Sequence, residues 1–362
     1  MKKESKILFL VVSVMAIYGI IMIYSASSIW AEYKFNDAFH FAKYQFIFFV
    51  ISIICMKVVS KIDYKLYKKH ANKILLICAI LLLLVLIPGV GTLRNGSRSW
   101  FKIGPFGLQP SELAKLGLII FTSKYLEKNN SEIKNVYKGV LPLLLVIFMF
   151  FGLIMLEPDF GSGMVIVMSL MIILFISGVK LSFFGVLFAL GLIGITGLII
   201  IAPYRLKRII SFLNPWSDPL GSGYQIIQSL YAIGPGGLLG LGFGNSVQKQ
   251  FYLPEPQTDF IFAIISEEFG IFGVISVTFL FAIMFYLIMK ISIKCNNLFG
   301  KYLSFGLGMQ IMLQALLNLC VVVGLIPVTG VTLPFFSYGG SSLLVSMISI
   351  GIILSISNKN HL

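Results

Sequence analysis

The chain has 362 residues, 58% of them hydrophobic and only 12% charged, with a mean hydropathy of +0.95. A water-soluble domain could not bury so large an apolar share, so the composition excludes the soluble and disordered classes and reads as a polytopic membrane protein. The formal net charge of +14 is basic enough to raise a nucleic-acid partner, but the placement of the lysines makes that the poorer explanation beside membrane topology.

Crossing a bilayer as a helix takes roughly 17 to 25 apolar residues. Ten spans are predicted, over residues 7–26, 44–60, 74–89, 112–126, 141–157, 164–179, 181–202, 260–289, 302–325 and 339–357. The expected class is an all-α polytopic membrane protein with about ten transmembrane helices. A large extracytoplasmic loop, 203–258, separates the seventh helix from the eighth. The first apolar run follows Lys2, Lys3 and Lys6 as a signal peptide would, yet Tyr24-Ser25-Ala26-Ser27 leads only to a short loop and another span. It is therefore expected to be a retained helix rather than a cleaved leader.

With an even number of spans both termini share one side. The loops on that side hold 18 of the 28 basic residues, among them Lys57, Lys61, Lys65, Lys68, Lys69, Lys73, Lys290 and Lys294, against four acidic ones. By the positive-inside rule that face, with both termini, is cytoplasmic. The opposite face balances ten basic against ten acidic residues.

The outward charges crowd predicted helix ends. In "QPSELAKLGLII", Ser111 is a candidate N-cap, with Glu112 in the first turn and Lys115 one turn on. "EPDFGSG" brings Glu157 and Asp159 to the end of the fifth span. In "TDFIFAIISEEFG", Thr258 is a candidate cap for a helix beginning at Asp259, with Glu267 and Glu268 roughly 12 to 14 Å deeper. An uninterrupted helix keeps Glu267 near the Asp259 side and turns Glu268 away. Lipid cannot solvate such groups, so they face a polar cleft open to the outside or pair with one another as structural ion pairs.

The loop 203–258 is too long for an idle connection. "YRLKRIISFLNPW" is basic and amphipathic, suited to the headgroup plane, and "GSGYQIIQSLYAIG" is helical in pattern but too short to cross. "GPGGLLGLGFG" has no preceding strand, which argues against a dinucleotide site. In "PVTGVTLPFFSYGGSS", irregular backbone at membrane depth is expected to line protein or a cavity, or to form a tight helix-to-helix turn. The four cysteines show no disulfide spacing, and the three histidines no zinc spacing.

Five segments in order, "YSAS" (24–27), "RSWFKIGPFGLQPSELAKL" (98–116), "EPDFGSG" (157–163), "YQIIQSLYAIGPGGLLGLGFGNSVQKQFYLPEPQTDFIFAIISEEFG" (224–270) and "PVTGVTLPFFSYGGSS" (327–342), carry a resemblance over essentially the whole chain. The sequence resembles the SEDS family of shape, elongation, division and sporulation proteins, typified by FtsW, RodA and SpoVE, and is closer to the FtsW and SpoVE branch.

That resemblance implies a peptidoglycan glycosyltransferase that polymerises lipid II into glycan strands on the outer face of the bacterial cytoplasmic membrane. It implies partnership with a class B penicillin-binding protein as transpeptidase, alongside other division or sporulation wall-synthesis proteins. Asp259 matches the family's catalytic aspartate, the general base of an inverting transfer. Arg98, Lys115, Lys249, Glu112, Glu267, Ser337, Gly339 and Gly340 complete the expected substrate contacts, with Arg94, Lys102, Arg205 and Arg208 as weaker cationic candidates. A divalent cation, Mg or Mn, shared between Asp259 and the substrate pyrophosphate is suggested mainly by the resemblance.

Alternatives stay open at this stage. Asp259 could instead be ion-paired with Lys249 or an arginine. The chain could be a lipid II flippase, or a non-catalytic scaffold recruiting a transpeptidase.

Overall fold

The computed structural model describes residues 3–94, 97–103, 106–201 and 210–359. Eleven α-helices are labelled in chain order: α1 Lys3–Phe35, α2 His40–Val59, α3 Tyr64–Val85, α4 Pro110–Lys128, α5 Leu141–Leu156, α6 Phe160–Ile176, α7 Leu181–Ile201, α8 Tyr224–Ile233, α9 Ile261–Ile293, α10 Leu298–Val322 and α11 Gly340–Lys359. Among the described residues, six helical segments are long and apolar enough to cross a membrane: α1, α2, α5 with its preceding π turn, α9, α10 and α11. Shorter apolar helices, α6 and part of α7, add to them.

The helical class holds, and the structure adds a small antiparallel sheet, β1 Thr92–Arg94, β2 Ser97–Ile103 and β3 Phe106–Leu108, in the order β1-β2-β3. Its register pairs Leu93 with Arg98 and Lys102 with Gly107. Helices also outrun the apolar spans. α3 begins at Tyr64 because Asp63 caps it, accepting from the Lys65 amide at 2.9 Å, so the lysine-rich stretch is helical too.

α11 lies at the centre, buried over most of its length, against α2, α10, α1 and α4. The lysine-rich ends gather at one end of the bundle. There Glu4 pairs with Lys294 at 2.8 Å and Lys290 at 3.5 Å, Lys68 with Glu127 at 2.6 Å, and Ser5 bonds Ser357 at 2.8 Å. The opposite end carries the sheet, the turn before α6 and the approach to α9. α7 touches the bundle through Phe183, Phe184 and Leu187, and most of its described side chains are exposed.

α9 is not one continuous helix. Gly270 adopts φ 59° and ψ −146°, a conformation L side chains rarely adopt, and breaks the hydrogen-bond ladder. The glycine-rich stretch after α8 takes up the released groups. The amides of Leu241 and Gly242 donate to the carbonyls of Glu267 and Glu268 at 2.9 and 3.0 Å, and Ile271 N–H donates to the Gly237 carbonyl at 3.0 Å. At membrane depth such a break persists only with its backbone satisfied in this way. That is the structural use of "GPGGLLGLGFG".

Candidate active site

Asp259 lies just ahead of α9, which starts at Ile261 with Phe260 at the N-cap position. The expected Thr258 cap is not formed. Its hydroxyl instead donates to the Glu255 carbonyl at 2.8 Å, because a turn over 255–258 precedes the helix. Three successive carbonyls of this approach are held from outside it. Tyr338 N–H donates to the Gln257 carbonyl at 2.8 Å, Ser337 Oγ to the Thr258 carbonyl at 2.6 Å, and Asn318 Nδ2 to the Asp259 carbonyl at 2.7 Å.

The Asp259 side chain is half-buried, and no hydrogen bond or ion pair from a described side chain reaches its carboxylate. Burial raises its pKa to about 6, and the negative charges of Glu255 and then Asp159 push in the same direction. The alternative ion pair with Lys249 is not formed, since Lys249 pairs with Glu268 instead. Gly330 faces the carboxylate with φ +73°, and a Cβ there would sit 3.9 Å from Oδ2. Gly330→Val is therefore expected to strain the backbone and crowd the carboxylate, lowering any reaction that uses this carboxylate by an order of magnitude or more at matched amounts of folded protein.

The turn ahead of α6 brings in a second carboxylate. Asp159 Oδ1 accepts from the Ser162 amide at 3.1 Å, while Oδ2 accepts from Gln109 Nε2 at 2.8 Å and Ser111 Oγ at 3.1 Å. Ser111 is thus not the cap of α4: Gln109 holds that position, Pro110 opens the helix, and the Ser111 hydroxyl serves Asp159. Glu157, the other acid of this motif, is fully buried with neither carboxylate oxygen partnered among the described residues, and its backbone carbonyl accepts from Ser97 Oγ of β2.

Glu112 and Lys115 form the expected one-turn pair on α4 at 2.8 Å, and both are buried. Lys115 Nζ also donates to Gln314 Oε1 at 2.7 Å, and Gln314 Nε2 to the Thr332 carbonyl at 3.2 Å. A void beside Lys115, lined by Ile119, Ile166, Ser169, Leu170 and Gln310, has no room for a water molecule. Gln310, Gln314 and Asn318 follow one another every four residues along α10, all buried. This amide stripe links the Lys115 pair to the Asp259 backbone. Its spacing in "QIMLQALLN" was the signal available in the sequence.

The remaining candidates lie elsewhere. Lys249 pairs with Glu268 at 3.1 Å and donates to the Gly244 carbonyl at 2.6 Å, while Ser25 Oγ reaches both Glu268 oxygens at 2.6 and 2.8 Å. Glu267 accepts from Ser246 Oγ at 2.5 Å and Val247 N–H at 2.8 Å. The helical expectation that divided the two glutamates is corrected, since the 244–249 loop folds over both and neither bonds to Asp259. Arg98 is half-buried in β2, with Nη1 donating to the Leu86 carbonyl at 3.4 Å. Gly339 N–H donates to Gln45 Oε1 at 3.2 Å, Gln45 Nε2 returns a bond to the Ser337 carbonyl at 3.2 Å, and Gly340 opens α11. Lys102 is exposed, and Arg205, Lys207, Arg208 and the Arg94 side chain lie outside the described residues.

The family model described as "Cell cycle protein", FTSW_RODA_SPOVE, matches residues 5–362. The chain belongs to the FtsW/RodA/SpoVE family. Within it, the chain is 48% identical to "Stage V sporulation protein E" of Bacillus subtilis (strain 168), covering 99% of both chains. It is 41% identical to "Probable peptidoglycan glycosyltransferase FtsW" of Trichlorobacter lovleyi, covering 97% of this chain and 92% of that one. Among solved structures it matches one described as "Structural coordination of polymerization and crosslinking by a peptidoglycan synthase complex", at a TM-score of 0.81 and 31% identity over 98% of this chain and 97% of that chain. It also matches the Rod shape determining protein RodA of Thermus thermophilus, at a TM-score of 0.73 and 26% identity with the same coverage. Like these relatives, this FtsW/RodA/SpoVE protein is an integral membrane protein.

Proposed function

We propose that the chain is a peptidoglycan glycosyltransferase that polymerises lipid II, with Asp259 as general base. The observation that carries the chemistry is a carboxylate with no donor among the described residues, on a backbone anchored at three consecutive carbonyls. It lies at the end of the bundle opposite the lysine-rich end. By the positive-inside rule the lysine-rich end and both termini are cytoplasmic, so Asp259 faces outward.

Chain growth joins the 4-hydroxyl of one sugar to the anomeric carbon of another. A new carbon–oxygen bond forms as the bond to the polyprenyl pyrophosphate breaks, and the pyrophosphate departs with the electron pair. The hydroxyl proton passes to Asp259. A single displacement inverts the anomeric centre and needs no covalent sugar intermediate. A pKa near 6 suits this role, leaving the carboxylate largely ionised yet basic at neutral pH.

The pyrophosphate needs positive charge, and Lys115 and Lys249 are both engaged in buried pairs. No group of three or more metal-binding side chains occurs among the described residues. Asp159 spends its oxygens on three protein donors, whereas Asp259 accepts from no described side chain and would be the carboxylate facing a divalent cation carried by the substrate phosphates. A bound Mg or Mn ion would neutralise the departing pyrophosphate. Membrane lipid, the nascent glycan strand and a class B penicillin-binding protein are the partners this reading requires.

The test uses purified protein in vesicles with lipid II supplied only to the leaflet Asp259 faces. Glycan polymer is expected there, with activity lost in excess chelator and restored by Mg or Mn. Polymer formed at an unchanged rate in chelator would remove the cation. Absence of polymer, with lipid II appearing in the other leaflet instead, would mark a flippase.

A further inference from the structure

We infer that Asn318 is a positioning residue for the base, fixing the backbone of Asp259 from the rigid body of α10; this rests on the glycosyltransferase reading above. Asn318 is fully buried, and its amide spends both hydrogens on carbonyls, donating to Asp259 at 2.7 Å and to Val331 at 2.8 Å. One side chain thereby ties together the two segments that flank the carboxylate: the residue that bears it, and the loop whose Gly330 faces it. Its Oδ1 has no partner among the described residues. The amide therefore acts through its two donors.

The carboxylate receives no bond from a described side chain, so its position depends on how firmly its backbone is held. Of the three groups that hold residues 257–259, the Ser337 hydroxyl and the Tyr338 amide come from the connection between α10 and α11. Asn318 alone projects from within a long helix, and it grips the residue that carries the acid. A base displaced by about 1 Å from the attacking hydroxyl loses roughly a hundredfold in rate, whereas substrate contacts made elsewhere are unaffected. The expected signature is therefore in kcat and not in binding.

The experiment compares Asn318→Leu, similar in size without donors, with the wild type, both reconstituted with lipid II. The expected result is a fall in kcat of about a hundredfold, with KM and lipid II binding within about threefold and a cooperative melting transition retained. Folded Asn318→Leu with wild-type kcat would overturn the assignment, as would a loss accounted for by KM or by the unfolded fraction. Should Asn318→Leu not fold, Ser337→Ala, which frees the neighbouring carbonyl, should show the same kcat-selective pattern at about tenfold, and an unchanged kcat there would overturn the positioning scheme. Asp259→Asn, run alongside, separates the failures. Polymerisation at full rate by that control removes the base itself, whereas an inactive control beside fully active Asn318→Leu removes only the positioning role.

Discussion

Asp259→Asn is expected to stop glycan polymerisation, by roughly 10² to 10⁴-fold as befits the loss of a general base, while lipid II binding persists. It is also expected to stabilise the protein. The folded pKa of Asp259 is raised from 3.8 to about 6, chiefly by burial and then by Glu255 and Asp159. A raised pKa means that the folded state favours the protonated form. The stability this contributes is fully present below the unfolded pKa and lost as pH rises through about 6. At neutral pH the ionised carboxylate therefore costs the fold on the order of 3 kcal/mol, which a neutral amide avoids. Thermal unfolding checks this: Asp259→Asn should melt above wild type near neutral pH, with the gain shrinking toward about pH 4. A variant that is inactive and also less stable at neutral pH would point to a structural acid instead.

Glu268→Ala is expected to destabilise the protein by about 3 to 5 kcal/mol, because it strands the Lys249 ammonium in a buried site. Lys249 and Glu268 are almost inaccessible, and Ser25 and the Gly244 carbonyl supply the remaining contacts. Replacing both charges, as in Lys249→Met with Glu268→Leu, should recover most of the loss, since well-packed apolar pairs often match buried ion pairs. This double variant also decides what Lys249 does. As an internal strut it is dispensable to catalysis, so the folded double variant should polymerise at an appreciable rate. A folded but inactive double variant would show that the ammonium reaches the substrate phosphates, as its sequence position suggests.

The sequence made plain whatever depends on composition or on near neighbours. Long apolar runs identify the membrane class, and Glu112 with Lys115, three residues apart on a helix, become a real pair at 2.8 Å. Asp259 stood out because a carboxylate at the lip of an apolar segment is costly unless used. What escaped depends on contacts between distant segments. Thr258 has a capping residue's identity, but the turn from Glu255 delays the helix to Ile261. Lys249 looked available for phosphate until Ser25, 224 residues away, enclosed it with Glu268. The sheet at 92–108 has strands of three, seven and three residues, too short for alternation to announce. Asn318 carries no charge, so a search keyed to ionisable groups passes over it, although the four-residue spacing of Gln310, Gln314 and Asn318 was there to see. The break at Gly270 sits inside an apolar run and becomes visible only with the glycine-rich loop laid across it.

The most direct measurement of the central claim is the pH dependence of kcat/KM for lipid II polymerisation by the wild-type protein in vesicles. A base with the pKa of Asp259, about 6, should give a rate that falls tenfold per pH unit on the acid side of that value and levels above it. A rate flat from about pH 5 to 8, with the protein folded throughout, would contradict proton transfer to this carboxylate.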